Sequence, residues 1–356
     1  MKPFKTLLLG NKLAITSLAI LVILYSGLLF AEFLAPYTSQ TQFSEHVYHP
    51  PNLSFYSKEL GFRLQVQETV LIRPLDMRYA RVPEKYHPVR IFTSGAPIRL
   101  FGLLPANIHL FGTTTSYNEE ESLSYPVFLL GSDGLGRDVF SRILYGSRIS
   151  LSIGFVGISI STFLALLLGG LSGYFGGAVD WVIMRLAELI ILIPGLYLIL
   201  FLRSVLSSEL NSGQTYLVIT AILSFVGWPG SARLVRGMVH SIKREDFVVN
   251  AELESIPTIR ILFVYIMPHL SSILIVSAAL SIPGFILGEV LLSYLGLGIT
   301  EPAVSWGSLL SREATTLSTL QNFPWLLTPG IMLLLATLGF TFFGEFLRDY
   351  FDPHHA

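Results

Sequence analysis

The chain contains no cysteine among its 356 residues, which excludes disulfides, thiolate metal ligands and cysteine nucleophiles. It is also poor in charge: 13% of its residues are Asp, Glu, Lys or Arg, where an ordinary soluble domain carries about 25%. Its 23 Lys and Arg stand against 24 Asp and Glu, a formal net charge of −1, so there is no basic surplus to hold nucleic acid. The eight histidines show no His-x-x-x-His or comparable ligand spacing, and no metal site is expected. No Gly-Lys-Ser/Thr occurs, so the chain lacks a phosphate-binding loop; it is not expected to hydrolyse ATP or to carry a cofactor. No Ser/His/Asp set comes together either, because the histidines sit mainly between the first two apolar runs or at the C-terminus. No catalytic residue is assigned, and the chain does not read as an enzyme.

What is abundant is hydrophobic length. Apolar residues make up 52% of the chain, and its mean hydropathy is +0.62. A membrane helix needs about 20 mostly apolar residues, and roughly six stretches qualify: 13–34, 149–172, 186–206, 214–232, 261–286 and 325–345. The first follows Lys2, Lys5 and Lys12 but outruns the 7–15 apolar residues of a signal-peptide core, so it is expected to stay as a span. Short-loop Lys and Arg mark the cytoplasmic side. Lys2, Lys5 and Lys12, then Arg233, Arg236, Lys243, Arg244 and Arg260, then Arg348, share one side after six crossings, which predicts cytoplasmic N- and C-termini. Arg137, Arg142 and Arg148 break that pattern, but they follow a long translocated segment, where the charge rule is weak.

Residues 36–128 are not membrane-like and are too long for a plain connection. Alternating patches at Phe62–Ile72 and Val89–Phe92, separated by Pro and Gly, read as strands, so a small β-rich extracytoplasmic domain is expected between the first two spans. The run Glu119, Glu120, Glu121 reads as a solvated loop. From Leu130 to Gly146 the chain reads as a glycine turn followed by an amphipathic surface helix with Val139, Phe140, Ile143 and Leu144 on one face.

Charges inside apolar stretches mark function or pairing. Arg203 reads as snorkelling from the end of its span, and Glu188 as the local partner of Arg185. Glu289 follows Pro283-Gly284, where a kinked helix can line a cavity; it is divided between structural bonding at an outer gate and contact with a cationic substrate group. Pro194-Gly195, Pro229-Gly230 and Pro283-Gly284 fit moving bends and static kinks equally well.

Between two apolar runs lies a charged segment from Glu245 to His269, with Glu245-Asp246-Phe247-Val248 at its start, Arg260 in its middle and Ile266-Met267-Pro268 at its end. A helix around Phe247–Ser255 is expected, broken at Pro257, which restricts Ile256 to extended geometry. This segment resembles the cytoplasmic coupling loop of ABC-importer permeases. Four further blocks are similar to the dipeptide, oligopeptide and nickel branch, C-type subunit: Leu130–Gly146; Gly173-Tyr174-Phe175-Gly176-Gly177 with Asp180 and Arg185; Leu292–Gly298 with Ser305-Trp306-Gly307; and Leu347-Arg348-Asp349 with Asp352-Pro353.

The resemblance implies an all-α integral membrane protein with about six transmembrane helices of the ABC type I importer permease fold, interrupted by the β-rich insertion. It divides the chain into a tail and first helix at 1–35, the inserted domain at 36–128 and a permease core at 129–356. It implies a bacterial inner-membrane subunit for import of peptides or similar small solutes. The implied partners are a second homologous permease, two cytoplasmic ABC ATPases, an extracytoplasmic solute-binding protein and the lipid bilayer. Implied ATPase-coupling residues are Asn250, Ala251, Glu252, Leu253, Glu254, Ser255, Ile256 and Pro257, with Glu289 on the path or outer gate. Ser255 stands where the family pattern has glycine; Ala251 and Ser255, four apart, would share one helical face. The alternative is a membrane-anchored interaction or assembly protein acting through its extracytoplasmic domain.

Overall fold

The computed structural model describes residues 4–57, 61–100, 103–113, 125–205, 210–314 and 316–351. Lys2, the Glu119–Glu121 run and Asp352-Pro353 lie outside the described residues. In chain order the elements are helices α1 (Phe4–Gly10), α2 (Lys12–Leu29) and α3 (Ala31–Leu34), then strands β1 (Leu53–Ser57), β2 (Gly61–Arg73), β3 (Arg78–Pro88), β4 (Arg90–Leu100) and β5 (Leu104–Gly112). Helices α4 (Val139–Phe175), α5 (Gly177–Leu192), α6 (Gly195–Val205), α7 (Ser212–Ile242), α8 (Asp246–Leu253) and α9 (Thr258–Arg260) follow. A π-helical turn, Ile261–Ile266, leads into α10 (Met267–Tyr294), then α11 (Trp306–Glu313), α12 (Leu317–Asn322) and α13 (Thr328–Phe351).

Among the described residues, five helical segments are long and apolar enough to cross a membrane: Lys12–Leu29, Val139–Phe175, Ser212–Ile242, Thr258–Tyr294 and Pro324–Phe351. The sixth expected span, 186–206, is not straight. The helices α5 and α6 meet at 94°, because Ile193 precedes Pro194 and takes an extended backbone, φ −83 and ψ 124, as the proline ring demands of its predecessor. By contrast Pro229 and Pro283 lie inside continuous helices. The π turn before α10 has a steric reason: Pro268 lacks an N–H, and its ring crowds the carbonyl four residues back, so a widened turn is the natural accommodation.

The chain divides into two compact units. The first comprises Met1–Leu21, Leu151–Leu292 and Leu335–Ala356. Small residues set its packing. Ala165, Ala187 and Ala232 are buried with Trp228 among α4, α5 and α7, and a Cβ on Gly169 or Gly173 would strike the α7 backbone at Ala232 and Arg236. That Gly-x-x-x-Gly stripe lets two backbones approach where only lipid competes for contact. Polar pairs finish the crossing: Arg236 Nε donates to Asp180 at 2.6 Å, and Glu188 accepts from Arg185 at 2.8 Å with Arg233 at 3.8 Å, the local pairing expected. Arg203 departs from expectation. It is buried at 8% exposure and does not snorkel, because the bend at Pro194 turns its short helix against α7.

The second unit comprises Val22–Ser150 and Ser293–Leu334. Its strands form an antiparallel three-stranded sheet in the order β1-β2-β3 and a separate β4-β5 hairpin, over a small core of Val66, Val89 and Val127. The turn before α4 is wired into this unit. Gly131 and Gly136 hold φ of 76° and 74°, and Asp138 caps α4 by accepting the Ser141 N–H at 2.8 Å. Burial pushes the Asp138 carboxyl up to about 7, which the Ser141 bonds only partly offset. The expected surface helix is buried instead: Val139 and Ile143 pack with Val304, Leu309 and Leu326, and the buried Trp306 indole donates to the Ile143 carbonyl at 3.1 Å.

Here too the exception to the charge pattern finds its physical reason. Arg137 and Arg142 both donate to Asp133 Oδ2, at 2.7 and 2.9 Å, and both reach Glu301, which Arg312 also contacts. Arg148 pairs with Glu32. These cations are neutralised inside the protein and are not free loop charges.

Candidate functional site

The segment 245–269 lies wholly within the first unit. Helix α8 starts after Glu245, with Asp246 in its first turn where the helix dipole favours an anion. Its inward residues Val248 and Ala251, at 0% and 3% exposure, join Val235 and Val239 of α7, Ile261, Leu262 and Ile266 of the π turn, Leu270 of α10 and Tyr174 of α4 in one apolar cluster. The outward side carries Val249, Asn250, Leu253 and Glu254, with Leu253 77% exposed. Beyond the break Ile259 is 73% exposed.

The helix ends in a Schellman cap. Ser255 N–H donates to the Glu252 carbonyl at 3.0 Å and Ile256 N–H to the Ala251 carbonyl at 3.1 Å, the paired bonds that satisfy the last carbonyls when the residue past the helix turns left-handed. That residue is Ser255, at φ 59°. Glycine takes this conformation freely, and an L-residue pays roughly 1–2 kcal/mol for it. The family's glycine therefore has a conformational reason, and serine fills the same turn at a cost. Ala251 and Ser255 do not share a helical face: the helix stops at Leu253, Ala251 points into the cluster and Ser255 is exposed. Ile256 packs against the cluster, and Pro257 is exposed.

Two residues that sequence reasoning missed hold the loop from below. The Tyr174 hydroxyl donates to Glu252 Oε1 at 2.7 Å, and its carbonyl accepts from Lys243 Nζ at 2.8 Å. The ammonium lies 4.6 Å from the centre of the Tyr174 ring, within cation–π range. The block Gly173–Gly177 was visible in the sequence, but its partner 78 residues away was not.

Glu289 is fully buried in α10. It lies one helical turn past Phe285, on the same face. Gly284 and Phe285 border a cavity of about 350 Å³ that Ser161, Ser231 and Ser281 also line. Among the described residues no group of three or more His, Asp or Glu is placed to hold a metal ion.

Long apolar helices that pack through small residues, together with a charged loop seated on their ends, define a polytopic membrane protein. Comparison with known proteins identifies the family. Residues 165–355 match the binding-protein-dependent transport system inner membrane component, and residues 7–51 match the N-terminal transmembrane domain of oligopeptide transport permease C. The chain belongs to this family of ABC-importer permeases. It is 38% identical over 224 residues to the oligopeptide transport system permease protein OppC of Haemophilus influenzae, covering 63% of this chain and 69% of the relative. Identity to the dipeptide transport system permease protein DppC of the same organism is 35% over 64% and 75% of the two chains. Identity to OppC of Bacillus subtilis is 34% over 68% and 77%. The β strands fall between the two matched segments.

Proposed function

We propose that the chain imports peptides as one of two homologous permeases, driven by two cytoplasmic ATPases that press on the 245–269 loop and supplied by an extracytoplasmic solute-binding protein. Peptides are the cargo named for the relatives, and dependence on a binding protein belongs to the family. The observation that carries the coupling role is the loop's division of labour. Val248, Ala251 and Ile256 lock it to the helix ends, while Leu253 and Ile259 stand exposed on a polar rim of Asn250 and Glu254. A rigidly seated knob with an apolar tip can receive a push and pass it into the π turn and α10. The serine-lined cavity beside Pro283-Gly284 supplies part of this subunit's share of the path, with Glu289 one turn away as its acid. The loop and both termini face the cytoplasm, and the β domain faces outward.

Leu253→Glu in the assembled transporter tests this reading, because it changes the exposed tip and leaves the buried cluster intact. Membrane insertion and assembly should persist, while peptide uptake and binding-protein-stimulated ATP hydrolysis fall by about tenfold or more, as expected when a charge replaces an apolar anchor at an interface centre. Uptake at the unsubstituted rate would remove the coupling role. With no native cysteine, Ser241→Cys should label with an impermeant thiol reagent only from the cytoplasmic side; labelling from outside would reverse the orientation.

A further inference from the structure

The β4-β5 hairpin carries a departure from strand geometry. Successive side chains in a strand point to opposite faces, so a half-buried strand exposes every second residue. In β4 the neighbours Ile91 and Phe92 are both exposed, at 68% and 67%. The backbone is unusual at the same place: Phe92 holds φ 58°, a left-handed conformation that is an outlier for a bulky residue. No turn or helix cap falls there, since the ladder continues from Ile91 opposite Phe111 to Thr93 opposite His109. Two large apolar side chains thus stand exposed side by side at a strained position.

Their place in this unit indicates what covers them. The Phe92 ring lies 6.0 Å from the ring of Phe33 in α3, and the His109 ring bonds the Ala35 carbonyl at 2.6 Å, so the hairpin is seated on α3. Helix α3 follows directly from the apolar helix α2, whose coil continues through Phe30 N–H to Ser26 O at 2.9 Å and Leu34 N–H to Phe30 O at 2.9 Å. Eighteen residues of α2 span about 27 Å at 1.5 Å per residue, close to the roughly 30 Å hydrocarbon core. Phe33, four residues beyond Leu29, then lies about 6 Å past its end, inside the interfacial layer of roughly 5–7 Å on each side. On α2 and just past it, Ile23, Leu29 and Phe30 are 69%, 50% and 45% exposed, so the hairpin base sits beside an apolar, uncovered helix end. Arg90, next in the chain and exposed, is of the sign that pairs with lipid phosphate.

We propose that Ile91 and Phe92 immerse the base of the β4-β5 hairpin in the interface of the bilayer leaflet that receives the end of α2, fixing the inserted domain to the lipid surface. This rests on α2 crossing the membrane and not on the cargo or on ATPase coupling.

The test uses the full chain in lipid nanodiscs of phosphatidylethanolamine and phosphatidylglycerol, alone and with its transporter partners. Ile91→Cys carries an environment-sensitive fluorophore, and Leu75→Cys, at a 99% exposed position, carries the control. The Ile91 label should emit at shorter wavelength, be quenched at least about twofold more than the control by lipids bearing a nitroxide near the headgroup, and resist aqueous iodide, as an interfacial site does. Iodide quenching equal to the control's would overturn the proposal. So would shielding that arises only when partner subunits are added and without quenching by the nitroxide lipids, since the occupant would then be protein. Phe92→Gly accepts the left-handed backbone and removes the ring; lipid quenching at Ile91 should then fall by about half or more, and unchanged quenching would overturn the role of Phe92.

Discussion

Ser255 and Phe92 have almost the same backbone, φ 59° and 58°, in regions that use it differently. At Ser255 the left-handed turn is repaid locally, because two Schellman hydrogen bonds close over it and Ile256 drops onto the apolar cluster. At Phe92 the ladder runs on past the residue, its ring lies near that of Phe33, and the Ile91 side chain stands exposed beside it. The same torsion thus ends a helix in one place and sits within a continuing strand in the other. Only the surroundings tell them apart.

The sharpest way to break this comparison is to attack the seat of the loop. Ala251→Arg would bury an unpaired charge among Val239, Val248 and Ile261 and should destabilise the loop by about 3 kcal/mol or more. Hydrogen exchange should show lost protection throughout α8 and at the Ile256 amide, with transport abolished. Leu253→Glu should lose transport with that protection intact. If Ala251→Arg kept protection and lost only transport, Ala251 would be a contact surface and the distinction between seat and tip would fail.

Acid should separate the two regions next. His49 is fully buried in the second unit; its Nδ1–H donates to the Pro50 carbonyl at 2.6 Å, and its Nε2 accepts from the Thr69 hydroxyl at 2.5 Å. Burial and the neighbouring His46 lower it from 6.5 to about 4. A neutral histidine of this kind contributes its full stability above the unfolded value, near 6.5, and loses it progressively as pH falls toward 4. The gap corresponds to roughly 3 kcal/mol. Lowering pH from 7 to 4.5 should therefore reduce the protection factors of β1–β3, taken against the intrinsic amide rate at each pH, and His49→Gln should flatten that dependence. A pH profile unchanged by His49→Gln would place the acid sensitivity elsewhere.

The smallest effect is expected at the cap. Ser255→Gly removes the conformational cost but gives the unfolded chain more freedom, so a net gain of about 0.5–1 kcal/mol is expected. Slower exchange at the Ile256 amide with unchanged transport would confirm it; faster exchange would mean that the serine side chain stabilises the turn.

Spans, strands and the broken helix of the 245–269 loop are legible because they rest on local patterns: apolar length, alternation, and a proline after a charged helix. Glu188 with Arg185 was legible for the same reason, being three residues apart. What escaped was whatever depends on a distant partner. The inward orientation of Ala251 is set by α7 and the π turn, and the hold of Tyr174 on Glu252 crosses 78 residues. Arg137 and Arg142 looked like misplaced loop charges because Glu301 is out of sight of any short window. The bend at Pro194 is half legible: the Pro-Gly pair marks a break, but its size, 94°, depends on how α5 and α6 each settle on α7.

The ion cluster of the second unit also sets an order of events during synthesis. Asp133 leaves the ribosome just before Arg137 and Arg142, so one carboxylate is at hand from the first moment. Glu301 emerges 164 residues after Arg137, a delay on the order of ten to thirty seconds at bacterial and eukaryotic elongation rates of roughly 5–20 residues per second. Throughout that interval the two guanidiniums share the Asp133 carboxylate, and the bonds that close the cluster through Glu301 wait for the chain to return.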